Sequence, residues 1–231
     1  MRSKTGRYDT CMLADSGPFD FWLLMFNGVS LVLLAMAARR VDWRWLAAPE
    51  HLNLALGASV FDLVLWRLRV PLGPGLDLHL LGASLMALMF GWPLAVLIMA
   101  LVITGECLQG RLPLSLAGNE FLLLGVTPAL ISTAIQALVK LHLPRNLFIY
   151  FFVTAFFGTA LASTLAALAR GAAHHLLGLR PEHVLPGDYL AFQLLLGFPE
   201  AFLTGMLVTI FVVYRPDWMP AFNRRHYRLP Y

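Results

Sequence analysis

A chain of 231 residues that is 59% hydrophobic and only 13% charged is too poor in charge to be a water-soluble globular domain, which carries about a quarter charged residues. The composition predicts an all-α integral membrane protein, one domain lying almost wholly in the bilayer. The net charge of +4 comes from Lys and Arg in loops and tails. That pattern fits contact with lipid and gives no reason to expect a nucleic-acid partner.

Taken in order, the chain reads as a bundle of about seven transmembrane helices, two of them short. Residues 1–17 form a polar tail, 18–214 the membrane domain and 215–231 a basic, aromatic tail. The apolar segments run over residues 19–38, 52–70, 79–90, 94–108, 120–141, 146–169 and 189–214. The third and fourth fall short of the roughly 20 residues that a span needs, and they meet at Gly91-Trp92-Pro93. Short, Gly/Pro-interrupted segments are where transporters place substrate, because broken helix ends expose backbone groups inside the protein. No removable signal peptide is expected at the polar N-terminal tail; a translation start at Met12 is weighed alongside Met1.

Seven spans put the two ends on opposite sides. Arg39, Arg40, Arg44, Lys140, Arg145, Arg215, Arg224, Arg225 and Arg228 share one side. Arg67, Arg69, Arg111, Arg170 and Arg180 share the other with Arg2, Lys4 and Arg7. For a multi-pass protein of the plasma (inner) membrane, as expected here, the positive-inside rule then places the C-terminus in the cytoplasm and the N-terminus, His79 and the His174–His183 loop outside. The C-terminal tail reads as an interfacial anchor or docking surface.

Lipid supplies no hydrophobic drive for helix association, so small residues that allow close approach must do so. Ala83, Ala87 and Gly91 in the third segment and Gly197, Ala201 and Gly205 in the seventh carry such four-residue spacing. They fit packing within the bundle or a face for a partner. Ionisable residues inside spans are costly and mark candidate sites. Asp62 is expected to pair with Arg67 or Arg69, Glu106 to be solvated at the interface, and Asn119 to cap a helix beside Glu120. Glu200, after Pro199 in mid-segment, needs a cation, a proton or a donor. His79, His174, His175 and His183 are candidate ligands for a late transition metal. Cys11 and Cys107 have neither metal-ligand nor disulfide spacing. No HExxH pair, serine elbow or phosphate-binding loop is present, so an enzymatic function is not expected.

His79-Leu80-Leu81-Gly82, the Ala-rich helix after it, Gly91-Trp92-Pro93, Leu116-Ala-Gly-Asn119, Pro128 and Phe198-Pro-Glu-Ala-Phe-Leu-Thr-Gly205 together resemble the substrate-binding permease of cobalt/nickel-type energy-coupling factor (ECF) transporters. The order of these elements, across most of the chain from Leu52 to Tyr214, is more specific than any one of them. The resemblance implies uptake of a divalent transition metal, Co or Ni, with no covalently bound cofactor. It also implies a transmembrane coupling subunit and cytoplasmic ATPase subunits as partners. It carries over His79 as metal ligand and Asn119 as ligand or loop organiser, with Glu200 and Glu120 as intramembrane polar candidates. Members of that family begin Met-His and use that amine and histidine on the metal. Here the first two residues are Met1-Arg2, a start at Met12 would put Leu13 in the histidine position, and Leu122 replaces a second family Asn. Cys11, Met12 and Asp15 are the nearby residues able to complete a site. The alternative reading is a non-transport membrane scaffold or assembly protein that keeps the fold and binds no metal.

Overall fold

The computed structural model describes residues 18–73, 76–176, 186–222 and 227, with side chains over 21–68, 80–173, 195, 197–222 and 227. Residues 1–17, which include Cys11, Met12 and Asp15, and His183 lie outside the described residues. The protein is an all-helical membrane bundle apart from one short hairpin. Helix α1 (Pro18–Arg40) leads through a single turn, α2 (Trp43–Leu46), into α3 (Pro49–Leu65). Asp42 caps α2 by accepting from the amides of Arg44 and Trp45. A hairpin of β1 (Arg69–Gly73) and β2 (Leu76–His79) pairs Arg69 with His79. Then come α4 (Ala83–Phe90), α5 (Trp92–Leu108) and α6 (Leu114–Glu120). The chain continues through a π-helical stretch, Phe121–Val126, into α7 (Thr127–His142). A turn, α8 (Leu147–Ile149), and a second π-helical stretch, Tyr150–Phe157, precede α9 (Gly158–Leu176), and α10 (Pro186–Tyr214) ends the bundle.

Four stretches among the described residues are long and apolar enough to cross a membrane: Phe21–Arg40, Leu114–His142, Leu147–Ala173 and Gly197–Tyr214. Their outward faces are apolar, with Phe21, Leu24, Leu31, Phe198, Phe202 and Val213 all exposed, as lipid contact requires. The interior is held by α4, every residue of which is buried.

The expected third segment does not form a single helix. His79 does not open a helix; it ends strand β2, and α4 begins only at Ala83. The reason is Gly82, whose φ of 68° lies in the left-handed region and separates strand from helix. Gly91, with φ 84° and ψ 161°, likewise separates α4 from α5, so its role is the break itself and not packing. Arg40 at the end of α1 stacks over Trp92 in that break.

The small residues of α10 face α9 and the second π-helical stretch. A methyl on Gly197 would lie 3.1 Å from the Thr164 hydroxyl, and one on Gly205 would lie 3.6 Å from Phe156. Ala83, Ala87 and Ala201 are buried within the bundle. Gly118 on α6 comes so close to α1 that a Cβ would sit 2.7 Å from the Cα of Asn27. The Asn27 amide donates to the carbonyls of Leu23 and Ser115 and its oxygen accepts from the Gly118 amide, while the Ser30 hydroxyl donates to the Gly118 carbonyl.

The C-terminal tail is not purely interfacial. Trp218 lies half-exposed beside Arg215. Met219, Phe222 and Tyr227, however, are buried against Tyr150, and the Ala221 amide donates to the Met89 carbonyl at the end of α4.

Candidate functional site

The turn that follows His79 is held from three directions. Glu200 of α10, directly after the helix-interior Pro199, turns inward, and its carboxylate accepts from the backbone amides of Leu81 at 2.9 Å and Gly82 at 3.2 Å. It thereby supplies, from another helix, the N-terminal cap that the α4 sequence lacks. The indole of Trp66, just past α3, donates to the Leu81 carbonyl at 3.0 Å. Asp62 of α3 occupies the remaining side, where a Cβ on Gly82 would collide with its carboxyl group. Two residues further on, the Ser132 hydroxyl of α7 meets that of Ser84 in α4 at 2.9 Å.

Among the described residues Asp62 makes no ion pair, and the side chain of Arg69, its other expected partner, lies outside them. Asp62 is 0% exposed and neither carboxyl oxygen has a hydrogen-bond partner, while Arg67, which lies beyond the end of α3, is exposed and bonds Gln109. Sequence separation suggested the pairing, but the helical geometry points Asp62 into the bundle. Glu106 is wholly buried, not interfacial.

Asn119 and Glu120 stand at the same end of the bundle as this turn. Leu81 and Ala83 share an apolar cluster with Trp66, Ala117, Phe121 and Leu124. Asn119 is not an N-cap, because α6 begins five residues earlier at Leu114 and runs straight on into the π-helical stretch. Its amide is 0% exposed, and neither its nitrogen nor its oxygen has a hydrogen-bond partner. An unsatisfied buried amide is unfavourable by about 1–3 kcal/mol, so it fits a ligand or an ordered water. Glu120 accepts from the Nε of Arg170 in α9, its two oxygens at 2.9 and 3.1 Å. Pro128 lacks an amide proton, and the widened turn before it leaves carbonyls to satisfy; the Thr127 hydroxyl donates to Leu122 at 2.8 Å.

The turn after His79, the carboxylate that holds it, and a buried unpaired amide therefore share one end of the molecule. The family described as CbiM, cobalt uptake substrate-specific transmembrane region, matches residues 20–218. The chain belongs to this family. Two solved structures are similar in fold. One, described as a truncated transition metal transporter, has a TM-score of 0.70 and 19% identity, covering 84% of this chain and 95% of that one. The other, described as a transition metal transporter, has a TM-score of 0.68 and 19% identity, covering 92% of this chain and 96% of that one. A comparison with curated proteins gives no significant match.

Other sequence candidates of this CbiM-family chain lie apart or outside the described side chains. The imidazoles of His79, His174 and His175 belong to the latter group, although all three backbones are described. Among the described residues no three His, Cys, Asp or Glu side chains gather as a metal cluster. His51 stacks on Trp45 at 4.0 Å, and its Nδ1 lies 2.8 Å from the Trp45 carbonyl. A groove of about 450 Å³ between α3, α4 and α10 is lined chiefly by Leu54, Phe61, Leu85, Met89, Leu207 and Phe211; with Glu50 and Asn53 as its polar groups it offers no nitrogen-rich donor set. Sequence reasoning did not assign Trp66, Asn27 or Ser30. The polar pair Asn27 and Ser30, one helical turn apart in an apolar segment, was the available signal.

Proposed function

We propose that this chain is the substrate-binding permease subunit for uptake of a divalent transition-metal ion, cobalt or nickel, with the membrane domain over residues 18–214. His79 is a metal ligand, Asn119 a second ligand or organiser of the site, and Glu200 the residue that fixes the turn carrying the histidine. The observation that carries this reading is the clamp on Leu81 and Gly82 by Glu200 and Trp66. A ligand preorganised in this way loses little entropy when it meets a metal. Membership of a cobalt-uptake family supports the same substrate class. The permease has no nucleotide-binding motif, so a transmembrane coupling subunit and cytoplasmic ATPases of the energy-coupling factor type supply the energy, and the chain itself is not an enzyme. The C-terminus lies in the cytoplasm and His79 faces outside, in keeping with the arginines around Arg39 and Arg215.

Purified full-length protein is expected to retain about one cobalt or nickel ion per chain, and His79→Ala to abolish it. Metal content unchanged by that substitution refutes the ligand assignment. Affinity capture is expected to bring down an ATPase and a second membrane subunit. The second reading is a membrane scaffold on the same fold that binds no metal; it purifies without metal and without these partners.

A further inference from the structure

Two carboxyl groups meet at one buried glycine. Glu200 accepts from the Gly82 amide, and Asp62 fills the space where a Gly82 side chain would stand. Both residues are essentially unexposed, at 2% and 0%. Their situations differ in one respect that decides their chemistry. Glu200 has two backbone donors and the N-terminal end of α4, both of which stabilise negative charge. Asp62 has no donor among the described residues. An ionised carboxylate buried without a donor or a cation is strongly unfavourable, and a second anion at the same glycine makes it more so.

Among the described side chains, the groups that face this point bring no compensating cation, and those of His174 and His175 at the end of α9 lie outside them. On α3 the other titratable groups are Glu50 and His51, at the opposite end of the helix. On α5 they are Glu106 and Cys107; on α7, Lys140 and His142 lie two turns beyond Ser132; on α9, Arg170 is held by Glu120. Helix α4 has none, and the described side chains of α10 add only Glu200 itself and Tyr214 at the far end. In the hairpin, the side chains of Arg69, Asp77 and His79 lie outside the description.

We propose that Asp62 and Glu200 form an intramembrane proton-binding site, with one proton held on Asp62 and the single negative charge of the pair held on Glu200. The proton allows Glu200 to stay on the Leu81–Gly82 amides. Its loss places two anions on either side of one glycine and drives α3 and α10 apart at the turn that follows His79. A transition metal is a poorer occupant, since it favours nitrogen or sulfur donors and a fuller ligand set than two carboxyls. The proposal does not rest on the metal-uptake reading.

The test uses full-length protein in detergent with [4-13C]aspartate incorporated. At neutral pH the infrared spectrum is expected to show the C=O stretch of a protonated carboxylic acid, shifted by the aspartate label. The band is expected to be lost in Asp62→Asn and kept in Glu106→Gln. Because the folded state holds a proton that the unfolded chain releases, stability falls as pH rises. Asp62→Asn, which replaces the protonated acid by a neutral isostere, is expected to abolish that fall. Absence of the band, a band the label does not move, or an undiminished pH slope in Asp62→Asn overturns the proposal. So does cobalt or nickel binding that is lost in Asp62→Asn and retained in His79→Ala, since the pair then holds the metal. If Asp62→Asn does not fold, the label shift in the unsubstituted protein still decides.

Discussion

Gly82→Ala tests the geometry of the site turn most directly. Two separate penalties act on the new methyl. The first is conformational: at φ 68° an L-residue pays about 1–2 kcal/mol for left-handed backbone. The second is steric: the methyl would lie within 2.8 Å of the Asp62 Cγ and closer still to its carboxyl oxygen. Asp62 is wholly buried, and overfilling a packed interior costs about 1–3 kcal/mol. The combined loss is therefore about 2–5 kcal/mol, measured as unfolding free energy in mixed detergent–SDS micelles. The same Gly82→Ala change made in an Asp62→Ala background should keep only the conformational part, because the colliding carboxyl is gone. A double-mutant cycle isolates the difference. Equal costs in the two backgrounds would refute the packing of Asp62 against Gly82.

Other substitutions probe the rest of the bundle. Arg170→Ala leaves Glu120 buried without its guanidinium and is expected to destabilise by about 3–5 kcal/mol, with most of the loss recovered when both residues become Met. Thermal unfolding of both variants checks this, and failure of the double variant to recover would contradict the burial of the pair. Asn27→Ala removes the link between α1 and α6 and is expected to cost about 1–3 kcal/mol, more than Ser30→Ala; equal midpoints for the two variants would count against it. Phe222→Ala empties the contact with Tyr150 and Tyr227 and is expected to cost about 3 kcal/mol, whereas a tail lying only on the membrane surface would lose almost nothing.

Hydropathy was sufficient to read the helical class and the order of segments, because apolar runs of this length have few alternatives in a bilayer. Near His79 it was not. The expected segment from His79 to Phe90 takes in the end of strand β2 as well as all of α4. Leu80, Leu81 and Gly82 separate them, and a single glycine inside an apolar run does not announce a left-handed φ. The importance of Glu200 was legible from its position after Pro199, but its partners were not. They lie 118 and 119 residues away and are backbone amides, which leave no trace in residue identity. The burial of Asp62 was missed for the opposite reason: Arg67 and Arg69 offered a local partner, whereas helical phase turned the carboxyl inward. Asn119 reads as a cap in the sequence because the expected segment begins beside it. Helix α6, extending that segment back to Leu114, removes the end that needed capping.

The enclosure of α4 also sets an order of assembly. Eight residues of helix span about 12 Å, less than half the roughly 30 Å hydrocarbon core. Such a piece cannot partition into lipid as an independent span; it must be received by helices already in place. The carboxylate that finishes its N-terminus comes from α10, and the amide that closes its C-terminus comes from Ala221. Both are made by the ribosome more than a hundred residues after His79. The turn beside His79 therefore stays unfinished until α10 has entered the membrane, so a helix made more than a hundred residues later completes it.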